Sequence, residues 1–250
     1  MKILTLSLTF AIIAGAASTE PLRIATGGHF PPYIFDPGTD GVRGLDKDLL
    51  DEICTRGDFE CTWVDLPMND IFQSLVRGEI DVITGGFGYS LERDQLVDFT
   101  CPYRRTRSGH GTFIGTQTDQ DLTTARTGVL DQSLFHSAMK QAGRTTVPYP
   151  SQDVILDALT SGEIDVAFGS SFLIDLAEER GGFIELGDHP TFPSGTVLAV
   201  SEDNPNLRAE LNDLLAQISG DGTLGQLQQR WLGHNEGDVI GDCLAPGAFS

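Results

Sequence analysis

Basic residues are scarce in this sequence of 250 residues. It contains 16 lysines and arginines against 36 aspartates and glutamates, which gives a formal net charge of −20 and an isoelectric point of about 4.3. Nucleic acids and anionic membrane surfaces are bound through a basic face of a protein. The composition therefore argues against both as partners, and an anionic ligand would need a local cation that acts against the overall field.

Long apolar runs are also missing, except at the N-terminus. Lys2 is followed by the apolar run Ile3–Ile13 and then by small residues through Ala17. This order is typical of a secretory signal peptide, and the run is too short to cross a bilayer as an anchor. The sequence predicts a signal peptide over residues 1–17 and a soluble, exported mature chain. No cysteine lies near the cleavage zone, so we expect no lipid anchor there.

Cysteine is limited to four residues, Cys54, Cys61, Cys101 and Cys243. In an exported protein this number predicts two disulfides, for which three connectivities are possible. Cys54 and Cys61 flank a short turn that a disulfide could staple, which would leave Cys101 and Cys243 to tie the C-terminal tail to the first half. Zinc is disfavoured because no Cys-x-x-Cys or paired histidine spacing occurs, and no cofactor is expected.

Apolar periodicity predicts alternating strands and helices. The first third of the chain is expected to form strand Leu22–Thr26, helix Gly44–Arg56, strand Cys61–Leu66, helix Asn69–Arg77 and strand Ile80–Thr84. A similar series follows between residues 127 and 180, and Val76 and Val154 are expected on the inward faces of their helices. Such alternation predicts an α/β chain with mostly parallel sheets flanked by helices.

A short repeat indicates how this α/β chain is divided. Residues 78–82, Gly-Glu-Ile-Asp-Val, recur letter for letter at residues 162–166. Each copy follows an amphipathic helix and leads into a strand that ends in small residues, so the shared context makes a chance match less convincing. We interpret the repeat as two similar α/β lobes whose strand ends face a common cleft.

The first copy of the repeat leads into a turn rich in glycine. Gly85, Gly86 and Gly88 follow the strand, Ser90 is a candidate helix cap, and Arg93 falls in the first turn of the expected helix. Free amide groups at a helix N-terminus attract anions, and an arginine can fork onto a carboxylate. The alternative is a tight turn with a surface arginine. Nucleotide binding is disfavoured, because the turn has neither the dinucleotide spacing nor a following Lys-Ser/Thr.

Several motifs are spread over almost the whole mature chain. They are Leu22–Thr26 with Phe30–Tyr33, Gly44–Leu49, Gly78–Gly86, Ser90–Arg93 with Val97–Tyr103, and Gly220–Leu224 with Trp231–Gly233. Together they resemble the periplasmic solute-binding proteins of the polar amino-acid family, which serve ABC importers. The spacing of Cys54 and Cys61 also resembles a disulfide of the members that bind basic amino acids.

This resemblance implies a two-lobed fold of the type II periplasmic-binding class, joined by two hinge strands. Lobe 1 would comprise residues 18–107 and 196–250, and lobe 2 residues 108–195. The implied function is to capture a small carboxylated solute, an amino acid or a derivative, by closure of the lobes. A monomer in the periplasm that delivers its ligand to an inner-membrane permease is expected.

The resemblance also implies ligand contacts. The implied contacts are Phe30, Met68, Gly85, Gly86, Gly88, Arg93, Ser133, Leu134 and Ser170. Arg93 would fork onto the ligand's carboxylate with support from the amide groups of the glycine turn. Phe30 and Met68 would sandwich the ligand, and the helix N-terminus at Ser133 would complete the carboxylate site.

Three positions depart from the family pattern. Gly27 stands where an acidic residue is common, Gly88 where a hydroxyl residue is common, and Ser170 where an aspartate usually grips the ligand's ammonium group. A cation in a closed cleft needs a charged partner, because an unpaired buried charge is costly. Either Asp131 or Asp175 supplies that partner from a shifted position, or the ligand is an organic acid without a primary amine.

An enzyme on the same fold is the main alternative. The family resemblance extends to a periplasmic cyclohexadienyl-type dehydratase, which acts on prephenate-like acids. Glu92, Asp131 and His136 are the titratable residues near the expected cleft. They do not form a set of nucleophile, base and orienting group, so no catalytic activity is expected.

Overall fold

The structure, a computed structural model, describes residues 21–35, 41–90, 92–104, 110–191 and 195–235. Within these ranges the chain forms ten strands and seven helices. The predicted signal peptide, Cys243 and the predicted boundary between residues 107 and 108 lie outside the described residues.

The strands form two sheets, one from each predicted lobe. The first has the order β2-β1-β3-β10-β4 and consists of β1 (Leu22–Thr26), β2 (Cys61–Asp65), β3 (Val82–Thr84), β4 (Asp98–Phe99) and β10 (Ala199–Val200). The second has the order β7-β6-β8-β5-β9 and consists of β5 (His110–Gly115), β6 (Thr127–Leu130), β7 (Thr146–Tyr149), β8 (Val166–Gly169) and β9 (Ile184–Pro190).

Helices flank both sheets, as predicted. They are α1 (Leu45–Arg56), α2 (Met68–Val76), α3 (Leu134–Gln141), α4 (Gln152–Ser161), α5 (Ser171–Arg180), α6 (Pro205–Gly220) and α7 (Thr223–Leu232). Most apolar faces were predicted correctly, and on α1 Leu45, Leu49 and Ile53 have no exposed surface. The prediction was wrong for Val76 and Val154, whose accessible surfaces are 46% and 39% exposed.

The two sheets have the same strand order and direction. In the first, β1 lies parallel to β2 and β3, and β10 lies antiparallel to β3 and β4. In the second, β6 lies parallel to β7 and β8, and β5 lies antiparallel to β8 and β9. The prediction of two similar α/β lobes is therefore confirmed. In each sheet four strands run in one direction, and a single strand, β10 or β5, runs in the opposite direction.

The repeated pentapeptide builds the same ion pair in each lobe. Asp81 accepts from the backbone N–H of Arg23 at 2.8 Å and from its Nε and Nη2 at 2.9 and 2.8 Å. Asp165 accepts from the same three groups of Arg126 at 2.8, 3.1 and 2.7 Å. One ion pair joins the loop before β3 to the start of β1, and the other joins the loop before β8 to the start of β6.

One predicted disulfide is present among the described residues. Cys54 and Cys61 are bonded, with their Cα atoms 6.2 Å apart, and join the end of α1 to the start of β2. Cys101 is also disulfide-bonded. Its expected pairing with Cys243 stays a prediction, because Cys243 is outside the described residues.

The ion pair between Arg23 and Asp81 makes the stability of the protein depend on pH in the acid range. Partial burial raises the pKa of Asp81, but the hydrogen bonds from Arg23 outweigh it and hold the pKa below its ordinary value of 3.8. We expect Asp81→Asn to lower the free energy of unfolding by about 1–2 kcal/mol at neutral pH, as for a hydrogen-bonded charge that is partly exposed. The advantage of the wild type is complete above the unfolded pKa and is lost as the pH falls through the lowered, folded pKa.

Urea denaturation of wild type and Asp81→Asn at neutral and acid pH measures this difference. Asp213→Asn, at an exposed position of α6, is the matched control and should leave stability almost unchanged. A wild-type advantage that grows as the pH falls would contradict the expectation.

Candidate functional site

A buried carboxylate fixes the glycine turn that follows β3. Asp46, in the first turn of α1, has no exposed surface. Its Oδ2 accepts hydrogen bonds from Thr84 Oγ1 at 2.7 Å and from the amides of Gly85 and Gly86 at 2.8 and 2.9 Å. Its Oδ1 accepts from the hydroxyl of Tyr103 at 2.7 Å. Burial raises the pKa of Asp46 above its ordinary value, although these hydrogen bonds act in the opposite direction.

The same bonds correct the prediction made for the glycine turn. Its amides do cradle an anion, but for Gly85 and Gly86 that anion is the side chain of Asp46. Both glycines have positive φ, at 130° and 71°, a conformation that side chains resist. A Cβ on Gly86 would also lie 2.6 Å from the ring of Tyr33 and 2.9 Å from that of Phe30. The turn therefore needs glycine, yet these two amides are already occupied.

Arg93 joins the two lobes. Its amide donates to Ser90 Oγ at 3.2 Å, but Ser90 is not the expected helix cap. The helix is only a three-residue 3₁₀ turn, Arg93–Gln95, and Glu92 occupies its cap position. The guanidinium donates to the carbonyl of Gly88 in lobe 1 at 2.8 Å and to that of Gln132 in lobe 2 at 2.6 Å. A guanidinium has more N–H donors than these two bonds use, so donors remain for a ligand.

Aromatic rings and burial set the electrostatics of Arg93. Its Cζ lies 5.2 Å from the ring centre of Phe72 and 5.1 Å from that of Phe87, within the range of cation–π attraction. Burial lowers the pKa of Arg93 to about 10, while the charge of Glu92 acts to raise it. The guanidinium therefore remains positive at neutral pH in a largely apolar environment, where an anion would be attracted strongly.

A cavity of about 300 Å³, called here the central cavity, lies beside Arg93 between the lobes. The structure brings eight of the nine predicted contacts to its wall: Phe30, Met68, Gly85, Gly86, Gly88, Arg93, Ser133 and Leu134. Ser170 instead lines an adjoining cavity of about 600 Å³. Their assignment as ligand contacts stays a prediction.

The second lobe presents a helix N-terminus to the central cavity, as predicted. Helix α3 begins at Leu134, and Ser133 is its cap. The Ser133 hydroxyl accepts from the amide of His136 at 3.1 Å and donates to the carbonyl of Leu130 at 2.6 Å. Its hydrogen is therefore already engaged, and the backbone at this turn is the part left to face a ligand.

Sequence reasoning missed about half of the cavity wall. The additional residues are Gly27, Gly28, His29, Phe87, Leu130, Phe135, Pro150, Ser151, Gln152, Asp153 and Phe172. The second-lobe members lie just beyond the carboxyl ends of β6, β7 and β8, where ligands of open α/β sheets usually bind. That topology is the signal that could have identified them.

The two acidic substitutes suggested for Ser170 lie elsewhere. Asp131 belongs to a third cavity of about 300 Å³, called here the side cavity, and its Oδ1 is 3.3 Å from Nδ1 of His136. Asp175 is exposed and lines the adjoining cavity. The carboxylate that does line the central cavity is Asp153, which is paired with Arg180. The Oγ of Ser170 is buried without a hydrogen-bond partner among the described residues.

The candidate catalytic residues also gather around the side cavity. Glu92, Asp131 and His136 line it, and Arg93 is the residue it shares with the central cavity. Burial lowers the pKa of His136, helped by Lys140, which favours the neutral ring. Among the described residues, no group of three or more His, Cys, Asp or Glu could hold a metal ion.

Comparison with known proteins agrees with this geometry. Residues 22–234 match the family described as "Bacterial extracellular solute-binding proteins, family 3". The chain belongs to this family. The prediction of a solute-binding protein is thereby confirmed, and none of the described helices is long and apolar enough to cross a membrane.

Two relatives of the chain are named as binding proteins. The chain is 29% identical to the histidine-binding periplasmic protein of Salmonella typhimurium, over 91% of this chain and 94% of the relative. It is 26% identical to ABC transporter arginine-binding protein 1 of Escherichia coli, over 92% of this chain and 98% of that protein.

The fold is shared with solved structures of such proteins. A periplasmic His/Glu/Gln/Arg/opine family-binding protein from Silicibacter pomeroyi, in complex with lysine, superposes with a TM-score of 0.78. The two sequences are 27% identical, and the match covers 87% of this chain and 99% of the other.

The binding protein should depend on Asp46 for its stability. Asp46→Ala would leave the buried donors of Thr84, Gly85, Gly86 and Tyr103 unpaired, and we expect the free energy of unfolding to fall by about 3–5 kcal/mol. Chemical denaturation measures the change. Asp51→Ala is the control, since Asp51 is an exposed residue of the same helix and should matter by less than about 0.5 kcal/mol. Equal losses in the two variants would contradict the assignment.

Proposed function

We propose that this protein captures a small carboxylate in the central cavity and delivers it to an ABC importer. The observation that carries the proposal is Arg93. Among the described residues lining that cavity it is the only lysine or arginine, and it contacts both lobes. In a protein with a net charge of −20, the partly buried guanidinium of Arg93 is the local cation that an anionic ligand requires.

The contact between Arg93 and Gln132 also explains how a ligand would favour closure of the two lobes. Arg93 belongs to lobe 1 but reaches the carbonyl of Gln132 in lobe 2. A ligand held between the guanidinium and the start of α3 contacts both lobes, so it binds the closed state more tightly than the open one. A permease that recognises the closed lobes would then receive loaded protein selectively.

The cavity wall suits a ligand with an apolar body. Around Arg93 it is formed largely by Phe30, Met68, Phe87, Phe135 and Phe172. A volume of about 300 Å³ is at the lower end of the range for small-molecule sites, which suits an amino acid or a derivative of similar size. The relatives named for arginine and histidine support an amino acid as the first class to test.

The remaining parts of the proposal follow from the sequence. Residues 1–17 act as a cleaved signal peptide, and the mature chain works as a periplasmic monomer. Residues 18–107 with 196–250 form lobe 1 and residues 108–195 form lobe 2, and Cys101 pairs with Cys243. The segregation of strands between the two sheets supports these boundaries.

Binding without catalysis is proposed for the central cavity. The candidate catalytic residues Glu92, Asp131 and His136 line the side cavity and not the central one. In the central cavity the acidic side chain is Asp153, and it is paired with Arg180. Conversion of a bound ligand during prolonged incubation would overturn this part of the proposal.

The test is the loss of binding when Arg93 is removed. The probes are L-arginine, L-histidine and L-phenylalanine, each with its deaminated counterpart, measured by isothermal titration calorimetry. For every probe that the wild type binds, Arg93→Ala should weaken affinity about hundredfold, since it removes charged hydrogen bonds in a buried site.

Arg77→Ala is the matched control for that experiment. Arg77 is exposed, pairs with Glu79 and lies outside the central cavity, so its removal should leave affinity unchanged. Wild-type affinity in Arg93→Ala, or no binding of any probe by the wild type, would refute the proposed role of the cavity.

A further inference from the structure

We infer that Phe172 sets the length of the ligand that the protein accepts, because its ring separates the central cavity from the adjoining cavity. This inference rests on the proposed function and names the ligand class more closely, as a carboxylate whose apolar part is short. Arg93 would hold the carboxylate, and Phe172 would stop a longer chain before it entered the adjoining cavity.

The two cavities share a wall. The central cavity has a volume of about 300 Å³ and the adjoining cavity about 600 Å³, so the space beyond the wall is twice as large as the site itself. Six residues line both cavities: Phe30, Gly86, Gly88, Leu134, Phe135 and Phe172. A ligand is therefore confined to the central cavity only while the side chains of this wall stay in place.

Phe172 carries this wall from one lobe to the other. It lies in the first turn of α5, which packs against β5 and β8 of the second sheet, whereas His29 and Phe30 follow β1 of the first sheet. The ring centre of Phe172 is 5.8 Å from that of Phe30 and 6.1 Å from that of His29, in edge-to-face arrangements that are attractive. The wall is therefore complete only when the lobes are closed.

The two phenylalanine rings of this contact are supported from behind. Beside Phe172, Leu173 has no exposed surface, and a Cβ on Gly169 would lie 2.8 Å from its Cδ2, so the start of α5 is packed tightly against the end of β8. Phe30 stacks on Tyr33 with ring centres 5.8 Å apart, and Tyr33 is itself buried. A chain that reached Phe172 would press on a supported ring, which is unfavourable, and would hold the lobes apart.

The decisive variant is Phe172→Ala, tested with straight-chain carboxylates of increasing length. The probes are hexanoate, octanoate and decanoate, each also as its L-2-amino acid, measured by isothermal titration calorimetry. The wild type should bind the six-carbon probes about tenfold or more tightly than the ten-carbon probes. In Phe172→Ala this preference should disappear or reverse, because the longer chain can enter the adjoining cavity. Phe172→Leu, which keeps part of the bulk, should give an intermediate result.

The fluorescence of Trp231 shows where the longer chain lies. Trp231 lines the adjoining cavity, and Trp63 on β2 is the other tryptophan of the chain. In a Trp63→Phe background, decanoate should shift the emission of Trp231 more than hexanoate does in Phe172→Ala, but not in the protein that keeps Phe172. A merely structural role of Phe172 would not produce a shift that depends on chain length.

Phe183→Ala is the matched control. Phe183 packs against the core of the second lobe and is a described residue that lines neither cavity. Its removal should leave the order of chain lengths as in the wild type. Equal affinity of the wild type for short and long probes, no binding of the six-carbon probes, or the wild-type order in Phe172→Ala would overturn the role of Phe172. So would a gain in affinity for decanoate without a shift at Trp231.

This inference and the proposed function fail in different ways. If Arg93→Ala loses the six-carbon probes while Phe172→Ala keeps the wild-type order of chain lengths, the inference about Phe172 alone is wrong. If Arg93→Ala binds the six-carbon probes as the wild type does, the proposed carboxylate site fails and the inference fails with it.

Discussion

The hydrogen bonds of Asp46 are the constraint on which the first lobe's side of the cleft depends. One carboxylate without exposed surface ties the start of α1 to the end of β3 and to Tyr103. It holds Gly85 and Gly86 in conformations that bring the turn against the aromatic rings of Phe30 and Tyr33. The amides of Gly85 and Gly86 already donate to the carboxylate of Asp46. Arg93 is therefore the main group that can attract an anionic ligand.

Much of the fold could be predicted because its signals are local. Apolar spacing identified the helices, and the repeated pentapeptide indicated two similar lobes. The ion pairs formed by the repeat could not be predicted from local sequence. Asp81 and Asp165 pair with arginines that lie 58 and 39 residues away in the chain. The inward positions expected for Val76 and Val154 were wrong. Apolar spacing identifies the buried face of a helix, but it does not show how far the neighbouring elements extend over that face.

The site was predictable where a motif marks it and not where only the fold assembles it. The glycine turn, Ser90 and Arg93 follow one another in sequence, so their proximity could be foreseen. The anion in the turn could not, since Asp46 lies 39 residues before Gly85. The contribution of α4 was also hidden, because Ser151 and Asp153 read as an ordinary capped helix and only the register of β7 brings them to the cavity.

The position of β10 affects the order in which the protein can assemble. This strand lies between β3 and β4, but it is made by residues 199–200, after the whole of the second sheet. The second sheet draws on one uninterrupted stretch of chain, from β5 to β9. When the chain is complete only as far as β9, the second lobe has all its strands while the first still lacks an inner one. The first sheet therefore stays incomplete until the last fifth of the chain has been added.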